Sequence, residues 1–259
     1  MNPTSLPKLR ARYPSLEDRV VFISGGATGI GATLVRAFHD QGARVAFCDI
    51  DRDAGTALAS LLREPAQVHF IVCDVTDAHA LGAAIAEARS RLGPIGVLVN
   101  NAADDRREAI EGVTSDSFDH AVAVNLKHQV FASQAVADDM TALGGGSIIN
   151  FGSTSWMLKS RGFPIYQACK AAVRGLTRAL ARDLGKRNIR VNSLVPGWVM
   201  TEKQLRLWVT NESEMQIDAG QCLPGRVMTY DIAAMALFLA ADDSQMCSAQ
   251  DFIVDAGWV

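Results

Sequence analysis

Short runs of consecutive apolar, largely β-branched residues recur along the chain at 20–24, 45–49, 68–73, 97–100, 147–151, 191–195 and 252–254. Most of them do not alternate apolar with polar positions. Strands covered on both faces of a parallel sheet read this way. Between them lie segments with helical patterning, at 29–41, 53–63, 78–91, 115–142, 164–186 and 229–241. Regular strand–helix alternation predicts right-handed crossovers and an α/β, doubly wound parallel sheet in a single domain, 19–259. A polar arm, 1–18, carrying Pro3, Pro7 and Pro14, precedes it. The longest break in the pattern, about 197–228, follows a strand end. Open α/β sheets bind ligands beyond the carboxyl ends of their strands, so this excursion is the expected substrate lid.

Composition narrows the partners. With 259 residues, 49% of them apolar and 20% charged, the chain can bury one large core. A net charge of −3 without a basic run argues against nucleic acid. No apolar stretch approaches the roughly twenty residues that span a bilayer. The arm lacks an apolar signal core, so no export signal is expected. Five scattered cysteines with no C-x-x-C fit a reducing, cytoplasmic setting. The five histidines lack metal-ligand spacing, and no metal is expected.

Chemistry concentrates at Tyr166-Gln167-Ala168-Cys169-Lys170. On a helix, Tyr166 and Lys170 share a face one turn apart. A free phenol has a pKa of about 10 and is a poor base near neutrality. An ammonium beside it favours the phenolate, so Lys170 is expected to lower the pKa of Tyr166. A shift of roughly three units takes about 4 kcal/mol. A Tyr so tuned can take an alcohol proton while a hydride leaves the same carbon. Tyr and Lys at this spacing also occur on helix surfaces without function. Ser153 lies at the end of the run Ile148-Ile149-Asn150-Phe151, where its hydroxyl can hold a substrate oxygen.

The first strand runs into Ser24-Gly25-Gly26-Ala27-Thr28-Gly29-Ile30-Gly31. Glycines between strand and helix let backbone amides approach a pyrophosphate, which makes Gly25, Thr28, Gly29, Ile30 and Gly31 a candidate cofactor cradle. Asp49 ends the second strand eighteen residues past Gly31, where an acid can accept ribose hydroxyls and would repel a 2′-phosphate. NAD is therefore expected over NADP. Asp51, the rival acid, is expected to cap the following helix. Asp74, with Val75, ends the third strand within reach of an adenine amino group. Asn100-Asn101-Ala102-Ala103 ends the fourth, where small residues let backbone lie against a cofactor.

Gly25-x-x-x-Gly29-x-Gly31, Asn100-Asn101-Ala102, Ser153, Tyr166-x-x-x-Lys170 and Pro196-Gly197 resemble, in order and spacing, the short-chain dehydrogenases/reductases. The resemblance covers nearly the whole chain. It implies a Rossmann-like seven-stranded parallel sheet and a tetrad of Asn125, Ser153, Tyr166 and Lys170. By it Tyr166 is the base and Lys170 holds the nicotinamide ribose. Asn125, by itself readable as a helix-kink or capping residue, would hold a relay water. Pro196, Gly197, Val199 and Thr201 would lie along the nicotinamide, and Asn101 and Ala102 along the cofactor. The family also implies a homotetramer built partly on the helix bearing Tyr166, which presents Ala168, Ala171, Ala172, Gly175 and Ala179 at helical spacing. Ser24 stands where Thr is usual, Ala103 where Gly is usual, and Gly152 where Ser is frequent.

Within the family the chain is similar to bacterial NAD-dependent aldose 1-dehydrogenases. The shared stretches are 100–106, Asn150-Phe151-Gly152-Ser153 with Ser155-Trp156, 196–201 with Lys203-Gln204, Gln221-Cys222-Leu223, and Asp255-Ala256-Gly257-Trp258. A sugar needs several polar partners. Asp104, Ser153, Ser155, Trp156, Tyr166, Trp198 and Gln204 are the candidates. Asp104 with Arg106 also fits a solvated surface pair, and Trp156 and Trp198 also fit packing. Oxidation of an aldose at its anomeric carbon to an aldonolactone is the expected reaction. A polyol or keto-sugar-acid dehydrogenase, and a non-catalytic NAD-binding regulator, are the rival readings.

Overall fold

The computed structural model describes residues 9–62 and 67–259. Seven strands form one all-parallel sheet: β1 Val20–Ser24, β2 Arg44–Asp49, β3 Val68–Val72, β4 Val97–Asn100, β5 Gly146–Phe151, β6 Ile189–Pro196 and β7 Asp251–Val254. Their spatial order is β3-β2-β1-β4-β5-β6-β7. The chain therefore winds outward from β1 in one direction and returns to β1's other side with β4. The crevice at the carboxyl ends of β1 and β4 is the topological switch point, where such sheets bind ligands.

Every residue of β1 and of β4 is buried, which explains their unbroken apolar pattern. Successive side chains still point to opposite faces. Val21 and Ile23 join the core under α1 (Gly29–Asp40) and α9 (Thr229–Ala240). Val20 and Phe22 join the core under α3 (Ala78–Leu92) and α5 (His128–Ala142). Asp51 caps α2 (Arg52–Leu61) through the amide of Ala54, as expected. Asp77 caps α3 through His79 and Ala80. The sequence-based helix 53–63 ends two residues early, and Arg63 lies outside the described residues. Residues 1–8 of the expected arm lie outside them too.

Two sequence-based elements change. The helix expected over 115–142 is divided into α4 (Ser115–Val122) and α5 by a π-helical turn, Ala123–Lys127. The cause sits in that turn: the buried Asn125 side chain donates to the carbonyls of Ala121 and Asp104, 3.0 and 3.1 Å away, and accepts from the amide of Asp104. The excursion 197–228 is not a bare loop. It holds α7 (Glu202–Leu207) and α8 (Asn211–Gly220), capped by Thr201 and Thr210. A Val199–Val227 bridge pins its two ends together. Among the described residues no helix is long and apolar enough to cross a membrane.

Behind the carboxyl ends of β1, β4 and β5 the interior becomes polar. Ser24, Asn100, His128, Gln129, Asn150, Lys170 and Thr177 are all buried there. Asn100 donates to Asn150 at 2.9 Å, and Asn150 donates to Thr177 at 3.1 Å. His128 lies 3.5 Å from the Ser24 hydroxyl. Burial first, and the Lys170 ammonium second, push the pKa of His128 down to about 3. The unfolded chain takes up this proton below about pH 6.5, whereas the folded chain does so only near 3. Stability thus falls as pH drops through that window, by about 1.4 kcal/mol per pH unit. Denaturant unfolding from pH 7 to pH 4 is expected to show this slope, and His128→Asn to remove it. An unchanged slope would place the acid sensitivity elsewhere.

Candidate active site

The glycine turn between β1 and α1 is held by the end of β4. Gly25 has φ +66°, and a side chain there would sit 2.7 Å from the Cα of Ala102. A Cβ on Gly31 would meet the carbonyl oxygen of Gly25 at 1.9 Å, so α1 starts as close to the turn as atoms allow. Asn101 donates to the carbonyls of Ser24 and Gly25, at 3.0 and 2.8 Å. The Ser24 hydroxyl accepts from the amides of Asn101 and Ala102, both at 3.1 Å. The hydroxyl that replaces the usual Thr thus knits β1 to β4. Thr28 makes no side-chain cap on α1, so the first amides of that helix face outward with the positive end of its dipole. Thr28 and Gly29 are exposed and Ile30 is partly so.

Asp49 stands at the rim of this cradle. One carboxylate oxygen accepts from the Ala27 amide at 3.0 Å and the other from the Asp51 amide at 3.1 Å. Asp74 is exposed and accepts from the Thr76 amide and hydroxyl, while Val75 is buried in the core beside it. On the opposite side the methyl of Thr201 approaches the Cβ position of Gly29 at 3.5 Å. The first residues of the excursion after β6 and the glycine turn are therefore neighbours. Gly197 donates to Val254 and packs on Asp255, and Val199 is buried. An uncapped helix start, a turn closed to side chains and an acid at its edge fit a dinucleotide.

α6 (Pro164–Leu184) begins at Pro164, well placed in a first turn, and carries Tyr166 and Lys170 on one face. Lys170 is buried and donates to the carbonyl of Phe151, the last residue of β5, at 2.9 Å. Its Nζ lies 5.6 Å from the Tyr166 ring centroid. Burial lowers the pKa of Lys170 to about 8. The Ser153 hydroxyl donates to Ser155 Oγ at 3.0 Å and accepts from the Ser155 amide at 3.2 Å. Turned from Ser155 toward Tyr166, the same hydroxyl proton would favour the phenolate.

The ionisation of Tyr166 runs opposite to the expectation from its lysine neighbour. Its pKa is pushed up to about 12. Burial is the largest cause, and Asp105 and Asp104 add to it, against Ser153 and Arg107. Removing water from a phenolate costs more here than the protein's own positive charges return.

The expected sugar-binding residues divide. Asp104 accepts from the Arg106 amide and pairs loosely with Arg106 and His120, at 3.4 and 3.9 Å. It nevertheless lines a pocket with Glu108, His120, Phe163 and Tyr166. Gln204 donates to Asp105 at 2.7 Å, and Lys203 donates to the other oxygen of Asp105 at 2.5 Å. Burial opposes the charge of Asp105, but Lys203, Gln204 and Arg107 together hold its pKa below the usual range. This latch ties α7 to the segment after β4. Trp198 stacks on Trp258, with centroids 6.5 Å apart, which is a packing contact. Trp156 and Ser155 lie in a short 3-10 turn directly after Ser153.

Asp105 was legible as a carboxylate of the loop after β4 and Lys203 as part of a shared stretch, but neither their pairing nor Arg107 was singled out from sequence. Their signal was present only as charged positions in two loops far apart in the chain, and tertiary contact reveals the pairing.

A family model described as enoyl-(acyl carrier protein) reductase matches residues 25–259. The probable galactose dehydrogenase GalD of Rhizobium meliloti (strain 1021) is 46% identical over 249 residues, 95% of this chain and 97% of that protein. The D-xylose 1-dehydrogenase of Caulobacter vibrioides is 45% identical over 96% of this chain and 98% of its own length. Among solved structures, a 7 alpha-hydroxysteroid dehydrogenase complexed with NADH and 7-oxo glycochenodeoxycholic acid superimposes with a TM-score of 0.90. It is 31% identical and covers 95% of this chain and 96% of that one. With the parallel sheet, the glycine cradle and the serine, tyrosine and lysine gathered at the strand ends, these likenesses place the chain in the short-chain dehydrogenase/reductase family.

Proposed function

We propose that the chain is an aldose dehydrogenase that oxidises the anomeric carbon of a pentose or hexose with a nicotinamide dinucleotide, NAD in preference to NADP. The observation that carries this reading is the meeting of Ser153 with Tyr166 over the Lys170-bearing turn of α6, at the same strand ends as an open glycine cradle. The two relatives named for sugar dehydrogenation give the substrate class. The carboxylates of Asp104 and Asp105 near Tyr166 suit a polyhydroxylated molecule better than a steroid or an acyl chain.

The roles follow from placement. Gly25, Gly31 and the amides opening α1 would take the pyrophosphate, with Asp49 at the adenosine ribose and Asp74 and Val75 beside the adenine. Asn101, Ala102, Pro196, Gly197, Val199 and Thr201 would border the rest of the dinucleotide. When bound, the nicotinamide supplies the hydride acceptor. Ser153 holds the anomeric oxygen by its hydroxyl. Tyr166, as the phenolate that the positive charges of Lys170 and of the bound dinucleotide favour, accepts the proton of the anomeric hydroxyl as the carbon gives up its hydrogen with the bonding pair, and the ring carbon is left as the carbonyl of a lactone. Lys170 fixes the ribose and adds positive charge beneath the phenol. Asn125 has committed its side chain to Asp104 and Ala121, so a relay water would rest on its backbone carbonyl, which already accepts from Gln129 at 3.2 Å.

Ala168, Ala172, Gly175 and Ala179 are exposed along α6. In a homotetramer this face would meet a second copy.

Cofactor reduction with a panel of aldoses beside their polyols tests the substrate class; turnover of polyols alone would overturn it. Tyr166→Phe is expected to cut turnover by about 10²- to 10⁴-fold and to leave the dissociation constant for NAD within about twofold. Normal turnover in that variant would remove Tyr166 from its role. Asp49→Ala is expected to weaken NAD binding about tenfold, and NADP binding far less. Equal losses for both dinucleotides would contradict the ribose contact.

A further inference from the structure

The segment after β4 carries a cation that none of the roles above uses. Arg107 is partly buried, with its guanidinium carbon 3.7 Å from the ring centroid of Phe163 and 5.0 Å from that of Trp208. Phe163 immediately precedes α6, and its ring centroid lies 5.4 Å from that of Tyr166. Trp208 closes α7 in the excursion. The cation is thus set where the β4 segment, the start of α6 and the lid converge, within electrostatic reach of the Tyr166 phenol.

Its bonding is unbalanced. Among the described residues Arg107 makes no hydrogen bond and no ion pair; it lies against aromatic rings and feels the charge of Asp105 at longer range. A guanidinium carries five in-plane N–H donors, so rings against its faces leave its donor edges open. The nearest acid does not complete it, because both oxygens of Asp105 are taken by Lys203 and Gln204. The indole N–H of Trp208 is also buried without an acceptor. Guanidinium donors open to the cleft and a buried, unpaired indole N–H beside the phenol are the complement of an acceptor-rich ligand.

We propose that Arg107 is a substrate-binding, specificity-determining residue, whose fork, stacked on Phe163 beside Trp208, grips two neighbouring oxygen atoms of the sugar away from the carbon that is oxidised. This rests on the sugar reading of the Tyr166 cleft and names a residue that selects among sugars. Two neighbouring acceptor oxygens arise from a vicinal diol or from a carboxylate, as in a uronic acid. Arg meets either bidentately, whereas Lys offers a single point of charge. Its placement has a second consequence. The positive charge of Arg107 favours the Tyr166 phenolate, so a neutral residue there moves the alkaline-favoured limb of the rate profile to higher pH.

The test is steady-state kinetics of the intact enzyme with the aldose it oxidises best, the epimers of that aldose at each ring hydroxyl, and the matching uronate. Wild type is compared with Arg107→Lys, which keeps the charge, and Arg107→Met, which keeps the stem. KM for the preferred aldose is expected to rise at least tenfold in both variants, while kcat for the Lys variant stays within threefold. Discrimination against one epimer is expected to collapse, with the dissociation constant for NAD unchanged. A wild-type KM for the uronate below that of the aldose, lost in the Lys variant, identifies the carboxylate as the gripped group. A uronate no better than the aldose identifies the diol. An unaltered KM and epimer ratio in Arg107→Lys would overturn the proposal, as would a loss of NAD affinity in step with the rise in KM. If wild type oxidises no sugar, the substrate reading itself fails; an active wild type with unaltered variants refutes only the role of Arg107.

Discussion

A lysine ammonium buried at the end of β5 constrains everything around it. Lys170 is 2% exposed and anchored to the carbonyl of Phe151. A buried cation is costly unless the groups near it are polar and hydrogen-bonded. The interior behind the strand ends is accordingly polar, with Asn100, Asn150 and Thr177 bonded to one another and His128 held neutral. Even so, burial pulls Lys170 itself down to about 8. The same dryness lifts Tyr166 to about 12. The free protein therefore holds a neutral phenol over a lysine close to giving up its charge. Positive charge brought to this site by a ligand would favour the phenolate at close range.

The fold supplies the rest by position. Winding outward from β1 and returning through β4 leaves a crevice at their carboxyl ends, and several residues that face it lie at or just past a strand end. Ser24 and Asn101 close the glycine turn against β4. Ser153 follows β5, and Thr201 follows β6 to rest beside Gly29. Asn125 bends the helix that would otherwise run straight behind the cleft, and in doing so holds the Asp104 segment in place. The Asp105 latch then joins that segment to α7. The glycine turn, the segment after β4 and the excursion after β6 are thus joined by direct contacts.

Much of this was legible in the chain. The largely apolar runs at Val20–Ser24 and Val97–Asn100 read as strands covered on both faces, and they are. The spacing of Tyr166 and Lys170 fixed a shared helix face, and Asp51 was readable as a cap. What failed depended on three dimensions. The π-helical turn at Ala123–Lys127 arises from Asn125 bonding to a loop twenty-one residues away in sequence. The rise in the phenol's pKa comes from burial, which i, i+4 spacing does not encode. The place of Arg107 against Phe163 and Trp208 joins three segments far apart in the chain, which local sequence does not encode.

The most direct test is an ultraviolet difference titration of tyrosine ionisation, with the Tyr166 step assigned by its loss in Tyr166→Phe, for the free protein and for the protein saturated with oxidised dinucleotide. The account predicts that this step lies above the ordinary tyrosine range in the free protein and moves down by more than one pH unit, on the order of 1.4 kcal/mol, when the dinucleotide binds. A step at or below the ordinary range in the free protein, or one that stays in place on binding, would contradict it.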